Sequence, residues 1–139
     1  MSDMIEFENN ISAEEFCSLR ESVGFQKLTT EQAKIVLSNT SFIVNAVCNG
    51  KSAGVVRVLT DKLTDAYITD VIVSPDFQGR GVGRKLMDKV LNCLKEYSVS
   101  NVKLACSLYA NSDKEPFYEK MGFQKLPNDK YGYGMLLEI

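Results

Sequence analysis

Apolar residues recur at helical spacing in three stretches of this chain, and each stretch carries its own start or stop signal. Residues 12–15 read as a capping box that begins a first helix, and Gly24 stands where a C-terminal cap is expected. A second helix begins at Thr29 or Thr30. The third covers about 83–95, where Leu86, Val90 and Leu94 share one apolar face. These stretches predict amphipathic helices packed on a common core.

Short apolar runs between these helices predict strands. They cover residues 4–7, 40–48, 51–59, 67–73, 102–106 and 134–139. Asn49 and Gly50 separate two of these runs and are typical of a two-residue hairpin turn of type I′. With a further short helix over 115–121, the predicted order is β-α-α-β-β-β-α-β-α-β. The strand–helix–strand unit around 83–95 implies a right-handed crossover between parallel strands.

A glycine-rich loop joins the strand at 67–73 to the helix that follows it. Pro75 has no N–H group and biases Ser74 toward extended backbone, so the strand must end there. Gly79, Gly81 and Gly83 then alternate before the helix, and they allow positive φ and a close approach of backbone to a ligand. A helix N-terminus presents unpaired N–H groups and a positive dipole. With Arg80, Arg84 and Lys85 nearby, the loop is predicted to bind a phosphate.

The spacing of this loop argues against two common phosphate-binding motifs. A P-loop requires Lys and then Ser or Thr after its last glycine, but Gly83 is followed by Arg84 and Lys85. A dinucleotide fingerprint would place its third glycine at Leu86 and an acidic residue at the end of the next strand. The next strand, 102–106, has no acidic residue.

Gln78, Gly81 and Gly83 have the spacing Gln-x-x-Gly-x-Gly, which resembles the acetyl-CoA loop of the GNAT superfamily of N-acetyltransferases. A second segment carries the same resemblance: Asn111 is followed seven residues later by Tyr118, inside Phe-Tyr-x-x-x-Gly-Phe. The match covers roughly residues 66–123. It implies one GNAT domain over residues 1–139, with α/β architecture and a six- to seven-stranded mixed sheet flanked by about four helices.

The resemblance also assigns expected contacts with acetyl-CoA, which would be the cosubstrate. The strand before the loop would pair through its backbone with the pantetheine arm, and the loop amides would hold the pyrophosphate. Asn111 would contact the pantetheine region, and Phe117 would form an apolar wall. The expected cofactor-binding residues are Val71, Ile72, Val73, Gln78, Gly79, Arg80, Gly81, Val82, Gly83, Arg84, Asn111 and Phe117.

Tyr118 is the expected general acid. Acetyl transfer from a thioester to an amine releases a thiolate, which needs a proton. A free thiol has a pKa near 8.5 and a phenol a pKa near 10, so transfer from Tyr118 is uphill by about 2 kcal/mol. That barrier is small when the phenol lies within hydrogen-bond reach of the sulfur.

The general base is less clear from the sequence. Some GNAT members place a glutamate five residues before the asparagine, but Cys106 stands there in this chain. Asp70 lies inside an apolar run beside the cofactor strand, and we consider it a candidate base or anchor for the amine. A carboxylate on the solvated face or in a bulge is an equally good interpretation of Asp70. Water relayed to Asp70, Glu21 or a backbone carbonyl is a further alternative.

The amino-acid composition argues against several kinds of site and partner. The 139-residue chain contains no histidine, and its four cysteines are not spaced as C-x-x-C, so a metal site is not expected. Free thiols are typical of a reducing cytoplasm, and no signal peptide or membrane span is visible at the sequence level. A net charge of −2 argues against nucleic acid as a partner.

The resemblance and the residues together predict an N-acetyltransferase that moves the acetyl group of acetyl-CoA directly to a primary amine. A small-molecule acceptor is expected rather than a protein, with small amines, aminosugar phosphates and polyamines all open. Residues 20–30 and 127–135 would hold the acceptor, with Phe25, Tyr131 and Tyr133 as aromatic walls. The alternative is a non-catalytic module that binds or senses acyl-CoA. A homodimer is possible.

Overall fold

A computed structural model describes residues 4–139. The chain divides into two compact units, the first ending at Leu108 and the second beginning at Tyr109. No helix among residues 4–139 has both the length and the apolar character needed to cross a membrane.

The first unit contains five strands and three helices. In chain order they are β1 (Ile5–Glu8), α1 (Ala13–Ser22), α2 (Thr30–Ser38), β2 (Phe42–Cys48), β3 (Lys51–Thr60), β4 (Asp65–Val73), α3 (Val82–Lys95) and β5 (Ala105–Ser107). A single 3₁₀ turn, Pro75–Phe77, separates β4 from the glycine loop. The predicted order of elements is therefore confirmed up to residue 107.

The strands form one mixed sheet in the order β1-β2-β3-β4-β5. The first three pairings are antiparallel, and β4 and β5 run parallel on either side of the α3 crossover. The parallel pairing involves only three residues of each strand, with Tyr67 opposite Ser107 as its last pair. Beyond that pair, β4 continues to Val73 with β3 alone as a hydrogen-bonded neighbour. Within residues 4–108, no strand pairs with this side of β4 at the point where the glycine loop begins.

Both faces of the sheet are covered by helices. On one face, Phe16 and Leu19 of α1 and Ala33 of α2 pack in a cluster with Val55 and Ile72 of the sheet. The apolar face of α3 consists of fully or almost fully buried side chains, namely Val82, Leu86, Met87, Val90 and Leu94. These packed layers hold the end of β4 between two helical surfaces.

Gly54 of β3 lies close to the backbone of β4 at Ile72 and to the side chain of Leu86 on α3. A Cβ atom at this position would approach the carbonyl oxygen of Ile72 to 2.7 Å and a methyl group of Leu86 to 3.0 Å. Only glycine fits there without displacing backbone. The absence of a side chain at Gly54 thus sets the spacing between β3, the end of β4 and α3.

The predicted helix and turn signals are largely confirmed. Ser12 caps α1 by accepting from the amide of Glu15, and Gly24 follows the helix with φ +79°. Thr29 rather than Thr30 is the N-cap of α2, and it forms a complete capping box with Gln32. Asn49 and Gly50 have φ of +52° and +76°, as a type I′ hairpin requires.

The second unit contains a 3₁₀ turn (Ser112–Lys114) and a short helix, α4 (Glu115–Glu119). For the strand predicted over 134–139, the structure assigns no regular secondary structure to these residues. The described residues form a mixed sheet of five strands with four α-helices, which agrees with the predicted α/β architecture; a sixth and a seventh strand are not among the described elements.

Candidate functional site: the glycine loop and the open edge of β4

The glycine loop turns the chain sharply from β4 into α3. Gly79 and Gly81 have φ of +79° and +78°, which a side chain would strain, and no atom lies within 4 Å of a Cβ built on either. Gly81 is the N-cap of α3 and offers no side-chain oxygen to the first helical amides. Both glycines therefore leave the helix N-terminus bare.

The amides of Val82, Gly83 and Arg84 form the first turn of α3 and have no acceptor among residues 4–139, whereas the next amide, that of Lys85, donates to Gly81. No acidic residue lies in this turn. An anion is the natural partner for such a group of donors, and the helix dipole adds to the attraction. The geometry therefore fits a phosphate group, with Gly83 and Val82 contributing through backbone alone.

Side chains of the loop hold its shape and leave positive charge at the surface. Gln78 donates from Nε2 to the carbonyl of Val73 at 3.0 Å, which ties the loop back to the end of β4. The Arg80 guanidinium lies over the Phe77 ring at 5.2 Å. Arg84 pairs with Asp88 one helical turn later at 3.1 Å, with both side chains about half exposed.

Val71, Ile72 and Val73 occupy the part of β4 that, within residues 4–108, has no partner strand on the β5 side. The side chain of Ile72 is buried in the core, whereas Val71 and Val73 are partly exposed. Backbone N–H and C=O groups on an unpaired strand edge are free to bind an extended ligand. The three residues predicted to pair with a pantetheine arm thus lie on an open edge that leads into the glycine loop.

Asp70 lies in a β-bulge just before this open edge. Val55 pairs with Ile72 while Arg57 pairs with Thr69, so two residues of β4 face the single residue Val56. Asp70 has φ +48°, a left-handed conformation that is uncommon for a residue with a side chain. Its carboxylate is nevertheless almost fully buried. The structure therefore matches the bulge interpretation of Asp70.

Two arginines bind the Asp70 carboxylate. Arg57 Nε donates to Oδ2 at 2.6 Å, and Arg20 Nη1 donates to Oδ1 at 2.9 Å. Arg57 also donates to Thr40 Oγ1 at 3.0 Å, which extends the network to the end of α2. Sequence reasoning placed Arg20 only within an acceptor segment and did not identify Arg57. No local sequence pattern indicates an ion pair between residues that are 50 or 13 positions apart. The available signal was the presence of charged residues inside apolar strands, since a buried charge needs a partner of opposite sign.

Arg20 connects the Asp70 cluster to the segment between α1 and α2. Its Nη2 donates to the carbonyl of Gln26 at 3.1 Å, and its guanidinium lies 5.6 Å from the Phe25 ring. Its Nε is buried and has no hydrogen-bond partner within residues 4–139. Phe25, one of the three predicted aromatic walls, thereby contacts the guanidinium that binds Asp70. Tyr131 and Tyr133 belong to the second unit and are exposed.

The remaining predicted residues lie in the second unit. Asn111 is the N-cap of the 3₁₀ turn, with no side-chain capping bond, and Phe117 and Tyr118 lie on α4. The Tyr118 ring packs edge to face against Phe117 at 5.0 Å and Phe123 at 5.9 Å. Tyr118 is 8% exposed, and burial raises the pKa of its phenol above the ordinary value of 10. It therefore keeps its proton at neutral pH.

Cys106, which stands where some GNAT members have a glutamate, lies in the middle of β5 and is half-buried. Desolvation raises the pKa of its thiol, so the neutral thiol predominates at neutral pH. All four cysteines of the chain are free. Cys106 therefore supplies neither a carboxylate nor a ready thiolate.

Comparison with known proteins places these features in one family. The family model described as acetyltransferase (GNAT) domain matches residues 9–137. A protein named uncharacterized N-acetyltransferase ycf52 from Pyropia yezoensis is 33% identical over 94% of this chain and 79% of its own length. Serotonin N-acetyltransferase 2 of Oryza sativa is 30% identical over 76% of this chain but 53% of its own. A crystal structure titled as a probable acetyltransferase from Staphylococcus aureus superposes with a TM-score of 0.84, at 28% identity, over 98% of this chain and all of its own.

Proposed function

This chain belongs to the GNAT family of acetyltransferases, and on that basis we propose that it transfers the acetyl group of acetyl-CoA directly to a primary amine, without an acyl-enzyme intermediate. The proposal is supported above all by one arrangement: the unpaired edge of β4 at 71–73 runs into an uncapped helix N-terminus at 81–84. An extended ligand with a pyrophosphate end matches both parts of this surface.

The binding roles that we propose follow the chemistry of each segment. Backbone groups of Val71, Ile72 and Val73 would bind the pantetheine amides. Amides between Gln78 and Arg84 would bind the pyrophosphate, with Arg80 and Arg84 adding positive charge. Asn111 and Phe117 would contact the pantetheine region, as the family resemblance implies.

We propose Tyr118 as the general acid. The amine nitrogen attacks the thioester carbonyl and forms the C–N bond, the C–S bond breaks, and the thiolate of coenzyme A takes the phenolic proton. The proton that the nitrogen loses on forming the amide passes to water, and the Tyr118 phenolate regains a proton from solvent. Burial raises the pKa of Tyr118, which ensures that the proton is present but increases the cost of giving it up. A direct hydrogen bond from the phenol to the leaving sulfur would offset part of that cost.

Asp70 is a candidate base or amine anchor from the sequence, but its two ion pairs favour a structural role. To accept a proton, its carboxylate would have to give up charge-assisted hydrogen bonds to both Arg20 and Arg57. We therefore propose that Asp70 holds the bulge and the Arg20–Phe25 contact in place, and that water removes the proton from the amine. Amine deprotonation at pH 7 costs about 4.6 kcal/mol for a lysine-like amine, so an acceptor with a lower pKa would react faster.

A small amine is the acceptor that we propose, acting in a reducing compartment such as the cytoplasm, in keeping with four free cysteines. The rice relative named for serotonin acetylation offers one class, an arylalkylamine. Aromatic contact from Phe25 would suit such a ligand. Polyamines, aminosugar phosphates and peptide N-termini are the classes to compare against it.

The main test is release of free coenzyme A thiol from acetyl-CoA with a panel of these amines. We expect saturable release with at least one class. Tyr118→Phe should lose at least tenfold in kcat while its affinity for acetyl-CoA, measured by calorimetry, stays within twofold of wild type. Tyr97→Phe is the matched control and should retain full activity. A Tyr118→Phe enzyme with unchanged kcat would remove Tyr118 from the mechanism.

A non-catalytic acyl-CoA sensor is the second candidate, and the presence of Cys106 in place of a family glutamate favours it. The two candidates differ in a simple way. Tight binding of acetyl-CoA without thiol release, over the whole amine panel, would support the sensor. No binding of coenzyme A at all would contradict both.

A further inference from the structure

The residues of the Asp70 cluster, namely Asp70, Arg20 and Arg57, carry two positive charges against one negative charge. Each guanidinium binds one oxygen of the Asp70 carboxylate, and no other carboxylate of residues 4–139 pairs with either arginine. Both arginine side chains are only 13% exposed, so water screens this charge weakly. Arginine also stays protonated at any physiological pH. One positive charge inside the fold is therefore left without a counter-charge.

The remaining contacts of the two arginines are with neutral groups. Arg20 donates to a backbone carbonyl, and Arg57 donates to a threonine hydroxyl. The Phe16 and Phe25 rings lie 5.7 and 5.6 Å from the Arg20 guanidinium. Ring faces and neutral oxygens stabilise a cation, but they do not neutralise it. A buried charge without a partner of opposite sign is costly, so the cluster is suited to receive an anion.

Two nitrogen atoms of the cluster have no acceptor within residues 4–139. Arg20 Nε is buried and makes no hydrogen bond. Arg57 uses Nε and Nη1, which leaves Nη2 without a hydrogen bond, and this atom is not fully buried. A guanidinium presents its N–H groups in a planar fork that matches a carboxylate or a phosphate. Arg57 can therefore bind such a group directly, with the charge of Arg20 beside it.

The cluster lies level with the expected position of the acetyl group. Within residues 4–108, the unpaired edge of β4 begins after Tyr67 and therefore includes Asp70. Between its pyrophosphate and its sulfur, coenzyme A has about 12 bonds, the length of four extended residues or roughly 14 Å. An arm that starts beside Ser74 and follows the edge would place its sulfur beside Asp70. The acetyl group and the uncompensated charge would then lie next to each other.

We propose that the acceptor amine carries an anionic group, a carboxylate or a phosphate, and that Arg57 and Arg20 bind this group beside the acetyl group of acetyl-CoA. The inference rests on the proposed function and narrows its acceptor to amino acids, their derivatives and aminosugar phosphates. Polyamines are disfavoured, because the uncompensated positive charge repels a further cation. The Phe25 ring would suit the side chain of an aromatic amino acid.

Matched pairs of amines that differ only in the anionic group test this inference on the wild-type enzyme. Tyrosine is compared with tyramine, and glucosamine 6-phosphate with glucosamine, by thiol release from acetyl-CoA. We expect kcat/KM to be at least tenfold higher for the anionic member of one pair, and the pair concerned distinguishes a carboxylate from a phosphate. A smaller preference in both pairs would overturn the inference, while the proposed function would stand because amines are still acetylated. No release with any amine would contradict the proposed function itself, and this inference with it.

Arg57→Met removes the extra charge and leaves Asp70 paired with Arg20. The preference for the anionic acceptor, expressed as the ratio of kcat/KM values within a pair, should fall at least tenfold. Lys34→Met is the matched control, since it removes one cation of an exposed pair with Glu31 and should keep the wild-type ratio. Arg57→Lys keeps the charge and should retain more of the preference than Arg57→Met. An unchanged ratio in an Arg57→Met enzyme with wild-type circular dichroism would overturn the inference.

Calorimetry on the wild-type protein gives a measurement that needs neither turnover nor a variant. The products N-acetyltyrosine and N-acetyltyramine, and N-acetylglucosamine with and without its 6-phosphate, are titrated into the complex with coenzyme A. The anionic product of the preferred pair should bind at least tenfold more tightly. Acetylated amines do not titrate, so a difference in amine pKa cannot produce this result. Equal affinities within both pairs would show that the cluster holds no anion and would overturn the inference.

Discussion

Asp70 and Arg57 form a 2.6 Å ion pair across the β3–β4 bulge, and Asp70 makes it from a left-handed backbone conformation. Both side chains are largely buried, and Arg20 binds the second carboxylate oxygen. Such a conformation is costly for a residue with a Cβ, so the two ion pairs must help to maintain it. The bulge shifts the register of the β3–β4 ladder, which resumes with the pairs Val55–Ile72 and Gly54–Val73.

Asp70→Asn should destabilise the fold by about 3 kcal/mol, because it leaves two buried guanidinium groups without a counter-charge. Asp88→Asn is the control, since it removes an exposed pair with Arg84 and should cost less than about 1 kcal/mol. Urea denaturation of both variants measures the difference. Equal losses of stability would contradict the role of the Asp70 cluster.

Gly54→Ala should destabilise the protein by roughly 1–3 kcal/mol, since the added methyl group would overlap the carbonyl of Ile72. The same displacement would move the end of β4, so the KM for acetyl-CoA should rise. Gly132→Ala adds a methyl group that meets no atom within 4 Å and should leave stability unchanged. Thermal unfolding and steady-state kinetics test the pair. A Gly54→Ala protein as stable as wild type would show that β3 and β4 separate easily.

Gly81→Ala and Gly50→Ala introduce the same backbone strain at two places. Their φ angles are +78° and +76°, so each should lose about 1 kcal/mol of stability. Gly81→Ala alone should raise the dissociation constant for coenzyme A about tenfold, because it tilts amides that would bind the pyrophosphate. Calorimetry measures the dissociation constant for coenzyme A in each of the two variants. If Gly50→Ala also bound coenzyme A more weakly, the loss of affinity would be due to general backbone strain and not to the loop amides.

Alkaline titration should reveal Tyr118. Burial raises the pKa of its phenol in the native state, so above pH 10 the unfolded chain loses this proton while the native protein keeps it. The stabilising contribution is therefore complete below pH 10 and declines as pH rises through the native pKa. Absorbance at the phenolate band should show one late step that is absent in Tyr118→Phe.

Tyr133→Phe is the control for this titration, since Tyr133 is 78% exposed and its removal should preserve the late step. Free energies of unfolding at pH 9 and pH 11 provide the second measurement. The drop between these two values should be smaller in Tyr118→Phe than in wild type. If the late increase in phenolate absorbance persisted in Tyr118→Phe, it would have to come from another tyrosine.

Several local features were predictable from sequence because they depend on backbone preferences over a few residues. The Asn49–Gly50 turn and the Thr29 cap follow from which residues tolerate positive φ or supply a capping oxygen. The loop between β4 and α3 is of the same kind, since Pro75 stops a strand wherever it occurs. The GNAT resemblance rests on such a local motif, and the family match confirms it.

The role of Asp70 could not be decided from the sequence. A carboxylate in an apolar run suggested base, anchor or bulge equally well, and only the folded chain brings Arg20 and Arg57 to it. The terminal strand is the opposite case. Its side chains alternate strongly in the sequence, yet residues 134–139 have no regular secondary structure, because strand formation depends on tertiary context as well as on the side-chain pattern.

The sequence alone determined the order of helices and strands as far as β5, the turns between them and the glycines that leave the N-terminus of α3 uncapped, since each depends on short-range conformational preference. Tertiary structure decided where the pairing of β4 with β5 stops and which charges are neutralised in the core. Those outcomes depend on contacts between residues far apart in the chain, and local preference carries no information about distant partners.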